Sequence, residues 1–188
     1  PLIGKTHTKS LPVCYHGQSA VLAALDLRQR VNRLEIEEIK VEAYGTAVFM
    51  MGNDASRWAP TTRETADHSF PYCIAIALLD GEVTQASFAA SRLGDPAVKE
   101  LMGKVKVIEA PALSAMYPEG GPGRVTILMR SGEAQVAEMR YPKGHEKNPM
   151  SDSEIEEKFI ELCAGRLSAA QREKVIETLW QLEGVEDV

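Results

Sequence analysis

Long hydrophobic runs, cysteine and concentrated basic charge are all scarce in this chain, and each shortage excludes something. The longest uninterrupted apolar stretch, Tyr72 to Leu79, has eight residues, far below the roughly 18–20 that a membrane-spanning helix needs. Pro1-Leu2-Ile3-Gly4-Lys5 lacks the charged-then-apolar pattern of a secretory leader. Cys14, Cys73 and Cys163 are an odd number without metal-binding spacing, and Cys73 and Cys163 sit in apolar helical stretches. They read as reduced core thiols, which points to the cytoplasm. Lys and Arg number 21 against 27 Asp and Glu, a net charge of −6, with no basic run. That balance argues against a nucleic-acid platform or a polybasic membrane anchor. Of the four histidines, His7, His16, His68 and His145, no two lie three or four apart on a helix, and no Cys-x-x-Cys accompanies them. No metal site is therefore expected. Gly-x-Ser-x-Gly is also missing, which leaves a serine nucleophile unsupported.

What is present suits one compact domain, or a domain with an appendage: 188 residues, 44% of them hydrophobic and 26% charged. The run from Gln18 to Arg30 is rich in Ala, Leu and Val and predicts a helix. Ile39, Val41 and Ala43 alternate with Glu38, Lys40 and Glu42, the period of a half-buried strand. Lys104–Glu109, Arg124–Arg130 and Glu133–Arg140 predict three more strands. Ser131-Gly132 suggests a two-residue hairpin turn, which would set Met129 opposite Ala134 and Ile127 opposite Val136. Pro71 suits the first turn of a buried helix over Tyr72–Leu79, and Gly81 supplies its stop. Asp95-Pro96 opens a short helix to about Met102. Pro118-Glu119-Gly120-Gly121-Pro122-Gly123 lacks the features of a phosphate-binding loop and reads as a mobile connection.

Ser151-x-x-Glu154 and Ser168-x-x-Gln171 are capping boxes for two amphipathic C-terminal helices, with stripes at Ile155, Phe159, Leu162 and Cys163, then Val175, Ile176, Leu179 and Leu182. The fold expected is α+β: a four-stranded, largely antiparallel sheet with helices on one face, plus a C-terminal helical hairpin. The division expected falls between residues 1–149 and 150–188.

Two segments gather groups that suit an anion. Lys9, Pro12, Tyr15 and His16 precede the first helix, and Thr65-Ala66-Asp67-His68-Ser69-Phe70-Pro71-Tyr72 runs into the buried one. Free backbone N–H groups and the helix dipole at such entrances favour a carboxylate or phosphate. His68 and Ser69 would equally serve as plain helix caps. His7 reads as an exposed terminal residue. Tyr141-Pro142-Lys143-Gly144-His145, leading to Asn148-Pro149, is turn-rich and suits either a flap or a linker.

Several of these segments, in order, resemble one family. Lys9-Ser10-Leu11-Pro12-Val13-Cys14-Tyr15-His16-Gly17-Gln18 is similar to the start of the second half of MmgE/PrpD proteins. Thr65-Ala66-Asp67-His68-Ser69-Phe70-Pro71-Tyr72, continuing to Gly81, resembles that family's most distinctive stretch. Tyr141-Pro142-Lys143-Gly144-His145, Asn148-Pro149 and Lys158-Phe159 complete the pattern.

The resemblance implies a small α+β lid that faces a large helical domain across an active-site cleft. It also implies C-terminal helices that return to the helical domain, and chemistry on small di- or tricarboxylates without a cofactor. By match to the family's motifs, Lys9 would face substrate carboxylates, Tyr72 would point into the cleft, and His68, His16 and Ser69 would lie beside the substrate. The implied partners are a polycarboxylate substrate, an N-terminal helical domain in the same or a separate chain, and further copies in a homo-oligomer. Two functions follow as expectations: the lid half of a 2-methylcitrate dehydratase-like lyase, with Lys9, Tyr72 and His68 catalytic, or a non-catalytic carboxylate-binding or self-assembling module.

Overall fold

Short polar side chains or proline set most of the helix entrances. The computed structural model describes residues 5–184; Pro1–Gly4, part of the segment read for a leader, lie outside the described residues. The elements run α1 (Gln18–Arg28), β1 (Ile36–Ala43), α2 (Gly45–Gly52), α3 (Ala55–Trp58), α4 (Arg63–Asp67), α5 (Phe70–Asp80), α6 (Ala90–Leu93), α7 (Pro96–Met102), β2 (Val105–Glu109), α8 (Pro111–Ser114), β3 (Gly123–Met129), β4 (Ala134–Met139), α9 (Asp152–Leu162) and α10 (Ala169–Trp180). At the entrance of α5 the Ser69 hydroxyl accepts the Tyr72 N–H at 3.1 Å, and Pro71 occupies the first turn. At its exit Gly81 adopts φ 78°, a left-handed conformation that glycine enters without steric cost. All of Phe70 to Leu78 is buried.

The four strands are ordered β2-β1-β3-β4. β1 pairs antiparallel with β3, and β3 with β4, but β1 and β2 run parallel, with Ile39 opposite Val105 and Val41 opposite Val107. The sheet is therefore mixed rather than largely antiparallel. The connection from Ala43 to Val105 carries α2 through α7, which provides the helical crossover that parallel pairing requires. Ile39, Val41, Val105, Val125 and Ile127 form the covered face with α1 and α5. The opposite face carries ion pairs between Lys106 and Glu38 at 2.5 Å and between Arg124 and Glu138 at 2.6 Å.

The β3–β4 register also differs from expectation, by one residue. Leu128 pairs with Ala134, Thr126 with Val136, and Ile127 with Gln135. Gly132 has φ 86°, the Met129 N–H donates to the Glu133 carbonyl at 2.8 Å, and the Gly132 N–H donates to the Met129 carbonyl at 2.8 Å. The loop is thus three residues long and ends in a left-handed glycine. Because side chains alternate with period two, the slip turns Val136 to the open face, where it is 49% exposed.

The glycine-rich stretch before β3 is not a loose connection: Gly120 to Gly123 are buried. A Cβ on Gly123 would lie 2.7 Å from the Ala20 backbone nitrogen, so glycine there lets β3 approach the start of α1.

The chain divides into two compact units, Pro1–Asn148 and Pro149–Val188. In the second, α9 and α10 carry complete capping boxes at Ser151 and Ser168. The Trp180 indole N–H donates to Glu156 Oε1 at 2.6 Å. Ile155, Leu162, Leu179 and Leu182 from the expected stripes are exposed. All three cysteines are free; Cys14 and Cys73 are buried, whereas Cys163 caps the end of α9 and is only half-buried. None of the described helices is long and apolar enough to cross a membrane.

Candidate functional site

A buried glutamine organises the segment that bears Lys9. Gln18, at the start of α1, is 1% exposed. Its side-chain amide donates to the Leu11 carbonyl at 2.9 Å and the Val13 carbonyl at 3.1 Å, and its Oε1 accepts the Leu11 N–H at 3.2 Å. The same segment is tied on one side to the end of α4, where the Cys14 N–H donates to the Asp67 carbonyl at 2.9 Å. On the other side the Thr8 N–H donates to the Gly144 carbonyl at 3.0 Å, within the loop 141–148. His145 in that loop is buried, and its ring packs at a tilt against His7 with centroids 4.1 Å apart. The loop therefore buttresses the Lys9 segment.

His16 lies in the turn Tyr15–Gly17 that enters α1. Its Nδ1 is 2.6 Å from the Tyr44 hydroxyl. The Tyr44 ring, in turn, stacks on Tyr117 with centroids 4.5 Å apart. Burial pushes the His16 pKa down, and nearby His68 adds to that effect. His68 Nδ1 donates to Asp67 Oδ1 at 2.5 Å and faces the Glu64 carbonyl at 3.1 Å. Both partners are acceptors, so Nδ1 carries the proton and Nε2 is the basic atom of the neutral ring. Lys9 is exposed, and its ammonium is close enough to Cys14 to oppose the upward push that burial gives the thiol. His16 and His68 are near enough for their charges to interact, and the segment that bears Lys9 meets the end of α4 through the Cys14–Asp67 backbone bond.

The side chains of Tyr72 and Ser69 are turned into the core instead. Tyr72 is fully buried, its hydroxyl donates to the Ser87 carbonyl at 2.7 Å, and its ring packs against Phe88. Burial pushes its pKa up to about 12. Ser69 is also fully buried and caps α5 while donating to the Arg57 carbonyl. Neither side chain is open to a ligand in this conformation. The ammonium of Lys9 and the phenol of Tyr72 do not face a common hollow: one is at the surface and the other is bonded inside the core.

Tyr44 and the anchoring role of Gln18 are not expected from the sequence, whereas His145 belongs to the turn-rich segment already singled out there. Tyr44 follows the last residue of β1, a strand end, and Gln18 is a polar residue at the head of an Ala- and Leu-rich helix; these were the available signals. A polar hollow of about 200 Å³ adjoins Tyr44 and Tyr117, lined also by Gly45, Thr46, Glu109 and Ser114. A separate apolar hollow of about 540 Å³, bounded by Trp58, Pro60, Leu93 and Met102, contains none of the histidines. Among the described residues no three His, Cys, Asp or Glu side chains are placed to hold a metal ion.

The fold and its candidate groups define an α+β domain with a mixed four-stranded sheet that presents lysine and imidazole groups from adjoining helix entrances. The chain belongs to the MmgE/PrpD family: residues 11–182 match the model of the MmgE/PrpD C-terminal domain. It is 30% identical over 132 residues to the human cis-aconitate decarboxylase, which covers 68% of this chain and 26% of that protein. It is 24% identical over 178 residues to the 2-methylcitrate dehydratase of Cupriavidus necator and 25% over 179 residues to that of Escherichia coli K12, covering 89% of this chain and 36% of each relative. The chain thus spans between 26% and 36% of the length of these relatives.

Proposed function

We propose that this chain forms the lid half of a lyase acting on a small di- or tricarboxylate, 2-methylcitrate dehydratase-like, and that a helical N-terminal portion completes its active site. The observation that supports this reading is that the entrance segment of α1, with Lys9 and His16, is bonded to the end of α4 beside His68 in a member of this family. Removing a proton alpha to a carboxylate builds negative charge that must be stabilised as it develops. Lys9 supplies a cation for that charge. His68, held by Asp67, supplies a basic nitrogen suited to shuttling a proton. Loss of water completes the dehydration. Closure against the helical portion would exclude water and strengthen each interaction. Tyr72 has no catalytic part in this scheme, since its hydroxyl is bonded within the core, and Ser69 acts as a cap.

The test is turnover of 2-methylcitrate, citrate and cis-aconitate by the chain alone and after adding a helical-domain protein of the family. Activity only on addition, abolished by Lys9→Ala, is the expected result. Full turnover by the chain alone would overturn the half-site reading.

A second reading is favoured by the exposed apolar residues of α9 and α10, namely a self-assembling module. Surfaces of this kind seldom remain uncovered in solution. Sedimentation that detects oligomers in the chain, lost in Leu162→Glu/Leu179→Glu, with no turnover under any condition, would favour it.

A further inference from the structure

We propose that Tyr44 is a positioning residue that fixes His16 as its Nε2–H tautomer, so that this imidazole serves as a neutral hydrogen-bond donor and not as a base. Only the chemical use of that donor rests on the function proposed above. Tyr44 is 1% exposed, and its hydroxyl is 2.6 Å from His16 Nδ1, its hydrogen-bond partner among the described residues.

Two arrangements share this distance. If Nδ1–H donated to the phenol oxygen, the phenol's own proton would be left in a buried place with no acceptor among the described residues. A buried donor in that state is costly. If the phenol donates to Nδ1, both atoms are satisfied and the imidazole proton sits on Nε2. Burial pushes the Tyr44 pKa strongly up, so the phenol keeps its proton, and the lowered pKa of His16 keeps the ring neutral.

The phenol is not free to swing away. Its ring stacks on Tyr117 with an interplanar angle of 13°, and the backbone following it is held by the Gly45 N–H donating to Ser114 Oγ at 3.0 Å. A Cβ on Gly121 would be 3.7 Å from the Tyr44 hydroxyl, so the glycine segment closes over this pair at van der Waals distance.

His68 has the opposite tautomer, with its proton on Nδ1 towards Asp67 and Glu64. The two imidazoles therefore divide the work: His16 Nε2–H donates to a carboxylate oxygen and steadies developing charge, whereas His68 Nε2 accepts a proton. A neutral imidazole acting as electrophilic donor is an established solution to this chemistry.

Long-range proton–nitrogen correlation on the ¹⁵N-labelled chain, above the ordinary histidine pKa of 6.5, reads the tautomer without substrate. The His16 signals, assigned by their loss in His16→Gln, should show a pyridine-type Nδ1 and a pyrrole-type Nε2. Tyr44→Phe should shift both towards the average of the two tautomers. A pyrrole-type Nδ1 in the unmodified chain, or His16 signals unchanged in a folded Tyr44→Phe, would overturn the proposal. The unmodified spectrum decides by itself if that variant does not fold. Failure here leaves the turnover assay untouched, and failure of turnover leaves this spectrum untouched.

Discussion

Thr8 and Gly144 meet through their backbones: the Thr8 N–H donates to the Gly144 carbonyl at 3.0 Å, and a Cβ on Gly144 would sit 1.7 Å from the Thr8 oxygen. Gly144 also has φ 89°, in the left-handed region where L side chains are strained. Gly144→Ala therefore combines strain with a collision that no rotamer change relieves. We expect a loss of about 1–3 kcal/mol in urea unfolding and faster amide exchange at Thr8, because the strap holding the Lys9 segment is displaced. Gly132→Ala is the control: its φ of 86° is similar, but nothing lies within 4 Å. If the two variants unfold alike and Thr8 exchange is unchanged, the contact does not hold the segment.

Tyr72 and Lys9 should separate in their effects, although the family pattern sets them side by side. Tyr72→Phe removes a hydroxyl that satisfies the buried Ser87 carbonyl. That change should lower stability by about 0.5–1.5 kcal/mol and leave turnover in the completed enzyme unaltered. Lys9→Ala should leave the unfolding midpoint nearly in place and lower kcat/KM by about 10²-fold or more. Parallel loss of turnover in both variants would return Tyr72 to the site.

The elements whose signals are local were legible in the sequence. Ser69, Pro71 and Gly81 bound α5 as their chemistry dictates, and Ser151 and Ser168 cap their helices through side chains within four residues. What failed depended on contacts distant in sequence. The parallel pairing of Ile39 with Val105 is decided by how a helical crossover returns to the sheet, and strand periodicity is blind to it. The hairpin slip turned on whether Arg130 belongs to the strand or to the loop, a one-residue choice that moves Val136 between faces. In the site, lysine and histidine near helix entrances were readable as types. That Tyr44 holds His16, 28 positions away, was not. The buried stretch Gly120–Gly123 reads as mobile in the sequence because a close approach leaves the same composition as a flexible loop.

Acid should weaken this fold before most carboxylates titrate. Burial lowers the pKa of His145, helped by the neighbouring His7, and burial with nearby His68 lowers that of His16, both from 6.5. The unfolded chain then binds protons that the folded chain refuses, so stability is complete above 6.5 and falls as pH drops below it towards the folded values. His145 has a specific reason to resist charging: its Nδ1 accepts the Lys147 N–H at 3.0 Å, and a protonated Nδ1 cannot. Urea midpoints measured from about pH 7.5 down to about pH 5 should decline. His145→Asn, which keeps an acceptor but does not titrate, should flatten part of that decline. A midpoint constant across this range would show that neither ring is held neutral by the fold.

Gly123 tests whether the sheet and the site share one support. A Cβ there would lie 2.7 Å from the Ala20 nitrogen and 3.0 Å from its Cα, both backbone atoms that cannot step aside. A Cβ on Gly17 would come even nearer to another atom, 2.5 Å from Met51 Cε, but that is the end of a flexible side chain. Distance alone would rank Gly17→Ala as the worse substitution; the identity of the obstructing atom reverses the order. Gly123→Ala should cost about 1–3 kcal/mol by lifting α1 from β3, whereas Gly17→Ala should stay within about 1 kcal/mol. Because α1 opens with Gln18, which anchors Leu11 and Val13, and follows directly on His16, lifting it should also disturb the His16 imidazole signals. Chemical unfolding and the His16 nitrogen spectrum of the two variants check this together. Gly123→Ala with an unshifted His16 would mean that the sheet and the entrance segment are supported separately.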